Sequence, residues 1–105
     1  MPLPDQLTRA RGYLRLFARE IGAYDLDEVA VHLVMGRGSP TLPVAIHLKA
    51  SRLDSLWNRT LHSAEREVPV HELDFISLDL AAFVRLQVEI LIAQIPGTIT
   101  RQESP

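Results

Sequence analysis

The sequence predicts a mainly α protein, a compact bundle of about four helices, with an α+β fold carrying a hairpin at about 29–48 as the alternative. Three observations lead there. Apolar residues recur at spacings of three and four over long stretches, the signature of helix faces turned to a core. Glycine and proline fall where such stretches would stop, at Gly22, Gly36 and Pro96-Gly97. Against these, β-branched residues crowd Val29–Met35 and Val84–Ile92 and alternate there, which keeps the α+β alternative open.

The first helix is expected from about Asp5 to Ile21. Leu7, Ala10, Leu14, Phe17 and Ile21 share one face, and Gly22 occupies the position of a C′ glycine. Arg11, Arg15 and Arg19 follow one another at one-turn intervals on a different face, with Arg9 nearby. The second helix runs from about Leu26 to Met35: Asp25 followed by Glu28 reads as a capping-box start, and Asp27 adds negative charge to the first turn. Val29, Val31, Leu33 and Met35 equally read as a strand.

The third helix follows the loop Gly36-Arg37-Gly38-Ser39-Pro40 and ends near Glu67. Ile46, Ala50, Leu53, Trp57, Leu61 and Ala64 make one stripe at helical spacing, with polar residues between them. Val44 to Leu48 is either its opening, with Pro43 near N1, or a short strand. The fourth helix is expected over about Leu78 to Gln94, with Ser77 as N-cap and Asp79 in the first turn. It is apolar nearly all round, which suggests a central position. Val84, Leu86, Val88, Ile90 and Ile92 also alternate as a strand would, but about seventeen residues is long for a strand and ordinary for a helix.

At 105 residues the chain reads as a single domain, 1–105, with frayed ends at 1–4 and 98–105. A hydrophobic fraction of 47% and a charged fraction of 23% argue against intrinsic disorder. Cysteine is absent, which excludes disulfides, a thiol nucleophile and cysteine-based metal sites. The opening Met1-Pro2-Leu3-Pro4-Asp5 has no basic or apolar leader character, and Leu78 to Ile95 is broken by Asp79, Arg85, Gln87, Glu89 and Gln94. Neither a signal peptide nor a membrane span is predicted, so the expected location is cytoplasmic. A net charge of −2 offers no general attraction to nucleic acid or anionic lipid. Lys49 is the sole lysine beside ten arginines, a bias that GC-rich bacterial codon usage produces.

Several residue groups invite a chemical reading. His62 and Glu65 lie one helical turn apart with His71 close behind, a ligand set for a metal if the segment is helical, although no HExxH spacing is present. His32 and His47 sit in similar apolar contexts and, in the hairpin alternative, come together as a pH-sensitive pair. Ser77, Asp79 and His71 supply triad residue types without a nucleophile elbow. Lys49 has no feature of a Schiff-base lysine. The glycine loop at 36–40 lacks the Gly-Lys-Ser/Thr ending of a phosphate-binding loop, and Asn58-Arg59-Thr60 is a sequon inside a predicted helix. No catalytic residue, metal or cofactor is expected.

Tyr24 to Leu33, followed by Ser39-Pro40-Thr41, resembles the first helix and turn of a bacterial helix-turn-helix protein. The resemblance implies a DNA-binding regulator. It departs from the motif where Leu33 and Thr41 stand too far apart for the tight turn and Pro40, Leu42 and Pro43 replace base-reading side chains. The arginine ridge Arg11, Arg15 and Arg19 suits an anion or an acidic partner. The main functional expectation is a non-enzymatic interaction protein (adaptor, chaperone, immunity or regulatory subunit) that binds a protein partner or a second copy of itself. Trp57, Leu86 and Ile90 are the expected contacts, because an all-round apolar fourth segment is hard for so small a chain to bury.

Overall fold

The structure, a computed structural model, describes residues 3–39, 42–54, 56–57, 59–76 and 79–100, with side chains from Gln6 onward. The described elements run α1 (Leu3–Ile21), β1 (Glu28–Met35), β2 (Pro43–Asp54), β3 (Arg59–Pro69), α2 (Val70–Asp74) and α3 (Leu80–Ile92). The strands form one antiparallel sheet in the order β1-β2-β3. The protein is therefore α+β, and the four-helix bundle is overturned: strands occupy 37% of the chain, as much as the 38% in helices.

Helix α1 forms where its apolar spacing places it. Ala10, Tyr13, Phe17 and Ile21 are buried on one face, while Arg11, Arg15 and Arg19 are exposed on another. The helix closes with the Gly22 N–H on the Ala18 carbonyl, where a Cβ would lie 3.0 Å from that oxygen. A close approach, with no left-handed backbone, is what requires glycine here.

The expected second helix, Leu26 to Met35, is strand β1. Asp27 starts no helix: its carboxylate accepts the Leu53 N–H at 2.7 Å, and its own N–H donates to the Ser51 carbonyl. Both bonds tie the entry of β1 to the far end of β2. The β-branched valines then pair across the sheet, Val29 opposite Ala50 and Val31 opposite Leu48. The Gly36-to-Ser39 loop turns the chain with Gly38 at φ 74°, in the left-handed region that favours glycine.

The expected third helix is the β2–β3 hairpin. Ile46, Leu48 and Ala50 alternate along β2 with no exposed surface at all, and Leu48 falls outside the helical stripe that the sequence suggested. A period of two thus wins over the three-and-four spacing of Ile46, Ala50, Leu53, Trp57, Leu61 and Ala64. The register shifts between Arg52 and Leu53, where a bulge turns the outer end of the hairpin. There the Asp54 carboxylate accepts the Leu56 N–H at 2.9 Å and the Trp57 N–H at 3.4 Å, so a side chain builds the turn.

Helix α3 matches the helical reading of the fourth segment, with a different cap and a different environment. Asp79, not Ser77, is the N-cap: its Oδ1 accepts the Ala82 N–H at 3.0 Å, and Ser77 lies outside the described residues. Val84, Gln87, Val88, Leu91 and Ile92 are buried, whereas Leu86 and Ile90 are exposed. The helix is a cover on one side of the sheet and not a surrounded central rod. Gln87 earns its burial by accepting the Arg66 Nε–H at 2.7 Å, which joins α3 to β3.

The core is one layer, between α1 and α3 on one side and a single face of the sheet on the other. Phe17, Ile21, Ile46, Leu48, Val68, Leu73, Val84, Val88, Leu91 and Ile95 fill it. After α3 the chain folds back beneath the sheet: Arg52 donates to the Gly97 carbonyl, Tyr24 bridges Thr100, and the Asp25 N–H reaches the Ile99 carbonyl. Residues 98–100, expected among the frayed ends, thus take part in the fold, and 101–105 lie outside the described residues.

Candidate functional site

Because the helices lie on one side, the opposite face of the sheet is left open. Strand alternation decides what it carries. Registers across the three strands set His32 beside His47 and Glu67, Ala30 beside Lys49 and Glu65, and Glu28 beside Ser51 and Ser63. These rows are polar and largely exposed, in contrast with the rows Leu33–Ile46–Val68 and Val31–Leu48–Arg66 behind them, where Ile46, Leu48 and Val68 are buried and the other three partly so.

The centre of the open face is the histidine pair. His47 Nδ1 stands 3.2 Å from His32 Nε2, with ring centroids 4.7 Å apart and planes inclined by 61°. The hairpin alternative in the sequence anticipated this meeting, and the direct cross-strand register produces it. On its far side His47 Nε2 faces Glu65 Oε1 at 3.8 Å. Beside the pair, Asp27, Glu28, Ala30, Lys49 and Ser51 line a shallow groove of about 450 Å³ along the β1 side of the sheet. Its single cation, Lys49, is exposed and lines the groove together with Asp27 and Glu28.

The metal set drawn from His62, Glu65 and His71 does not assemble. Residues three apart in a strand point to opposite faces, so His62 shares a face with Ala64 and Arg66, while Glu65 lies on the open face. His71 belongs to α2. Among the described residues no group of three or more His, Cys, Asp or Glu side chains is placed to hold a metal ion. Of the triad types, Asp79 is engaged as a helix cap and Ser77 lies outside the described residues. The helix-turn-helix resemblance covers strand β1 and its following turn, so the helix it requires is absent from Glu28–Met35.

Of the expected partner contacts, Trp57 stands at the tip of the β2–β3 hairpin, 70% exposed, beside Leu56 at 85%. Leu86 and Ile90 lie on the outer side of α3, well away from that tip in sequence and element. The three do not form one stripe. Sequence periodicity missed Leu56 and the open-face row, for which strand alternation at 45–51 and 63–69 is the available signal.

A second polar cluster lies at the other end of the molecule. Tyr13 donates to Asp74 Oδ1 at 2.5 Å, and Arg9 Nε approaches the same oxygen at 3.3 Å. Burial, with Asp74 beside it, pushes the Tyr13 phenol up to about 12.

The geometry defines a class, an open-faced two-layer α+β domain with helices on one side of a three-stranded antiparallel sheet. No family model, curated protein or solved structure matches the chain. Among the described residues no helix is long and apolar enough to cross a membrane.

Proposed function

We propose that the protein acts by binding protein rather than by catalysis, and that it associates with a second copy of itself along the outer edge of β1. The observation that carries this reading is the contrast between the two edges of the sheet. Edge strands expose unpaired N–H and C=O groups, and proteins ordinarily guard them with charge, proline or bulges. Strand β3 is guarded in this way: it carries Arg59, Glu65, Arg66 and Glu67 and ends on Pro69. Strand β1 is not. Its sequence is Glu-Val-Ala-Val-His-Leu-Val-Met, with charge only at its first residue, and its register is unbroken from Glu28 to Val34.

A second copy suits this edge. Two antiparallel strands related by a two-fold axis perpendicular to the sheet must pair residues that point to the same face. Centring that axis on Val31 sets Val29 against Leu33 of the partner copy and Ala30 against His32 of the partner copy. The half-covered Val29, Val31 and Leu33 side chains then join into a continuous apolar seam over the helical layer, and the two sheets become one of six strands. Trp57 and Leu56 at the hairpin tip, and Leu86 and Ile90 on α3, remain available to a different protein; aromatic residues of this kind commonly anchor interfaces. A cysteine-free chain suits a reducing compartment, and we place the protein in the cytoplasm.

Sedimentation equilibrium over a range of concentrations tests self-association. The expected species is a dimer of the 11.8 kDa chain, and Ala30→Lys, on the exposed face, is expected to convert it to monomer. A wild-type monomer throughout the range, or a dimer untouched by Ala30→Lys, overturns the β1 seam.

A further inference from the structure

The histidine pair supports a separate conclusion. We propose that His32 and His47 form a two-histidine chelate for a borderline divalent transition cation, with zinc as the probe ion. The residues sit directly opposite one another on neighbouring strands and face the open side of the sheet, so solvent reaches the space above them. Their near nitrogens, His47 Nδ1 and His32 Nε2, are 3.2 Å apart. A tetrahedral zinc ion with Zn–N bonds of about 2.0–2.1 Å spans two imidazole nitrogens separated by roughly 3.3 Å. The 3.2 Å contact is a ring-to-ring hydrogen bond, in which one of the two nitrogens carries the proton; when that ring changes tautomer, the cation takes the proton's place between two lone pairs already about one bite apart.

The far side of His47 provides the second observation. If Nδ1 binds the cation, the ring proton resides on Nε2, and that atom faces Glu65 Oε1 at 3.8 Å. A carboxylate on that side places negative charge behind the ring, close to where carboxylate–histidine–metal arrangements carry theirs. Likewise, His32 binds through Nε2 with its proton on Nδ1. Water fills the two remaining positions. Glu67, opposite His47 across β3, adds negative charge to the same row, while Lys49 lies in the neighbouring row. Borderline imidazole donors select zinc, copper or nickel over magnesium and calcium, which prefer oxygen. No ligand motif marks the pair, because the donors are fifteen residues apart and meet only through the β1–β2 register.

The test is zinc titration of the full-length chain, followed by calorimetry and by NMR of the four histidine rings. One ion per chain is expected, with the His32 and His47 ring signals shifting and those of His62 and His71 unmoved. His32→Ala and His47→Ala are each expected to abolish binding, and His62→Ala to leave it intact. The wild-type NMR result stands independently of how the variants fold. Absence of binding up to millimolar zinc, a shift of all four histidines together, or binding that survives His47→Ala overturns the proposal. Stoichiometry per chain is read whether the protein is monomer or dimer, so failure of the β1 seam leaves this result interpretable.

Discussion

The Tyr13 hydroxyl donates its hydrogen to Asp74 across 61 residues of sequence, clamping the middle of α1 to the end of α2. Burial is the largest influence on that phenol, the hydrogen bond to Asp74 and the charge of Asp74 follow, and Arg9 opposes them, leaving a value of about 12. In the unfolded chain the phenol ionises near 10. A raised phenol favours the folded state fully below the unfolded value, and that contribution is lost as pH rises from about 10 through 12. A difference of this size corresponds to roughly 3 kcal/mol. Tyr24 is also raised, by burial first and then by Glu89 and Glu20. The ultraviolet absorbance titration should therefore show no phenol ionising in the ordinary tyrosine range while the protein is folded. Tyr13→Phe should remove the step near 12 and lessen the fall in stability between pH 10 and 12. A phenolate signal centred near 10 in the folded protein would show that Tyr13 is not held in this way.

A second link crosses from the sheet to the helices, where the Arg66 Nε–H reaches Gln87 Oε1. Gln87 is buried, so Gln87→Ala removes the acceptor and leaves a guanidinium N–H without it in a partly covered site. The expected cost is about 1–3 kcal/mol in chemical denaturation. Gln87→Ala combined with Arg66→Met should cost less than the sum of the two changes, because the orphaned donor goes with its partner. Strict additivity would mean that the two side chains do not interact.

Leu48 and Trp57 separate the helical and strand readings of the middle of the chain. As a helix, that segment buries Trp57 in its stripe and sets Leu48 aside. In the hairpin Leu48 is fully buried and Trp57 is exposed. Leu48→Ala should cost about 2–5 kcal/mol, and Trp57→Ala should change stability by no more than about 0.5 kcal/mol. The fluorescence of Trp57, the chain's single tryptophan, should be red-shifted and readily quenched by iodide in monomer. A blue-shifted, protected Trp57 accompanied by a large loss on truncation would restore the helical stripe.

The same pair shows why the sequence was only partly legible. Helix α1 is readable because its apolar spacing has no competing period of two, and α3 because its length excludes a strand. The β2–β3 hairpin is obscured since Ile46, Ala50 and Ala64 satisfy both periods by accident; Leu53, Trp57 and Leu61 extend the false stripe through a bulge and a turn. Asp25, Asp27 and Glu28 resemble a helix start because carboxylates also serve as backbone acceptors in strand entries, which is what Asp27 does for Leu53. The histidine row depends on a long-range register, and local spacing carries no record of it.

The β1 edge leads to a prediction that mass alone does not test. In an isolated chain, N–H groups on the outer side of β1 face water, whereas those directed toward β2 are bonded within the sheet. In the proposed dimer both sets are bonded, so hydrogen exchange should be slow along Glu28–Val34 at high concentration. Dilution below the dissociation threshold should release the outer set while the inner set stays protected, giving alternate residues opposite responses. Ala30→Lys should show the released pattern at every concentration, because the two added lysine charges, one from each copy, lie diagonally across the seam and repel each other. Dimerisation through Trp57 or through Leu86 and Ile90 would instead leave the outer β1 amides fast at all concentrations. The alternation, more than the protection itself, identifies the edge as the interface.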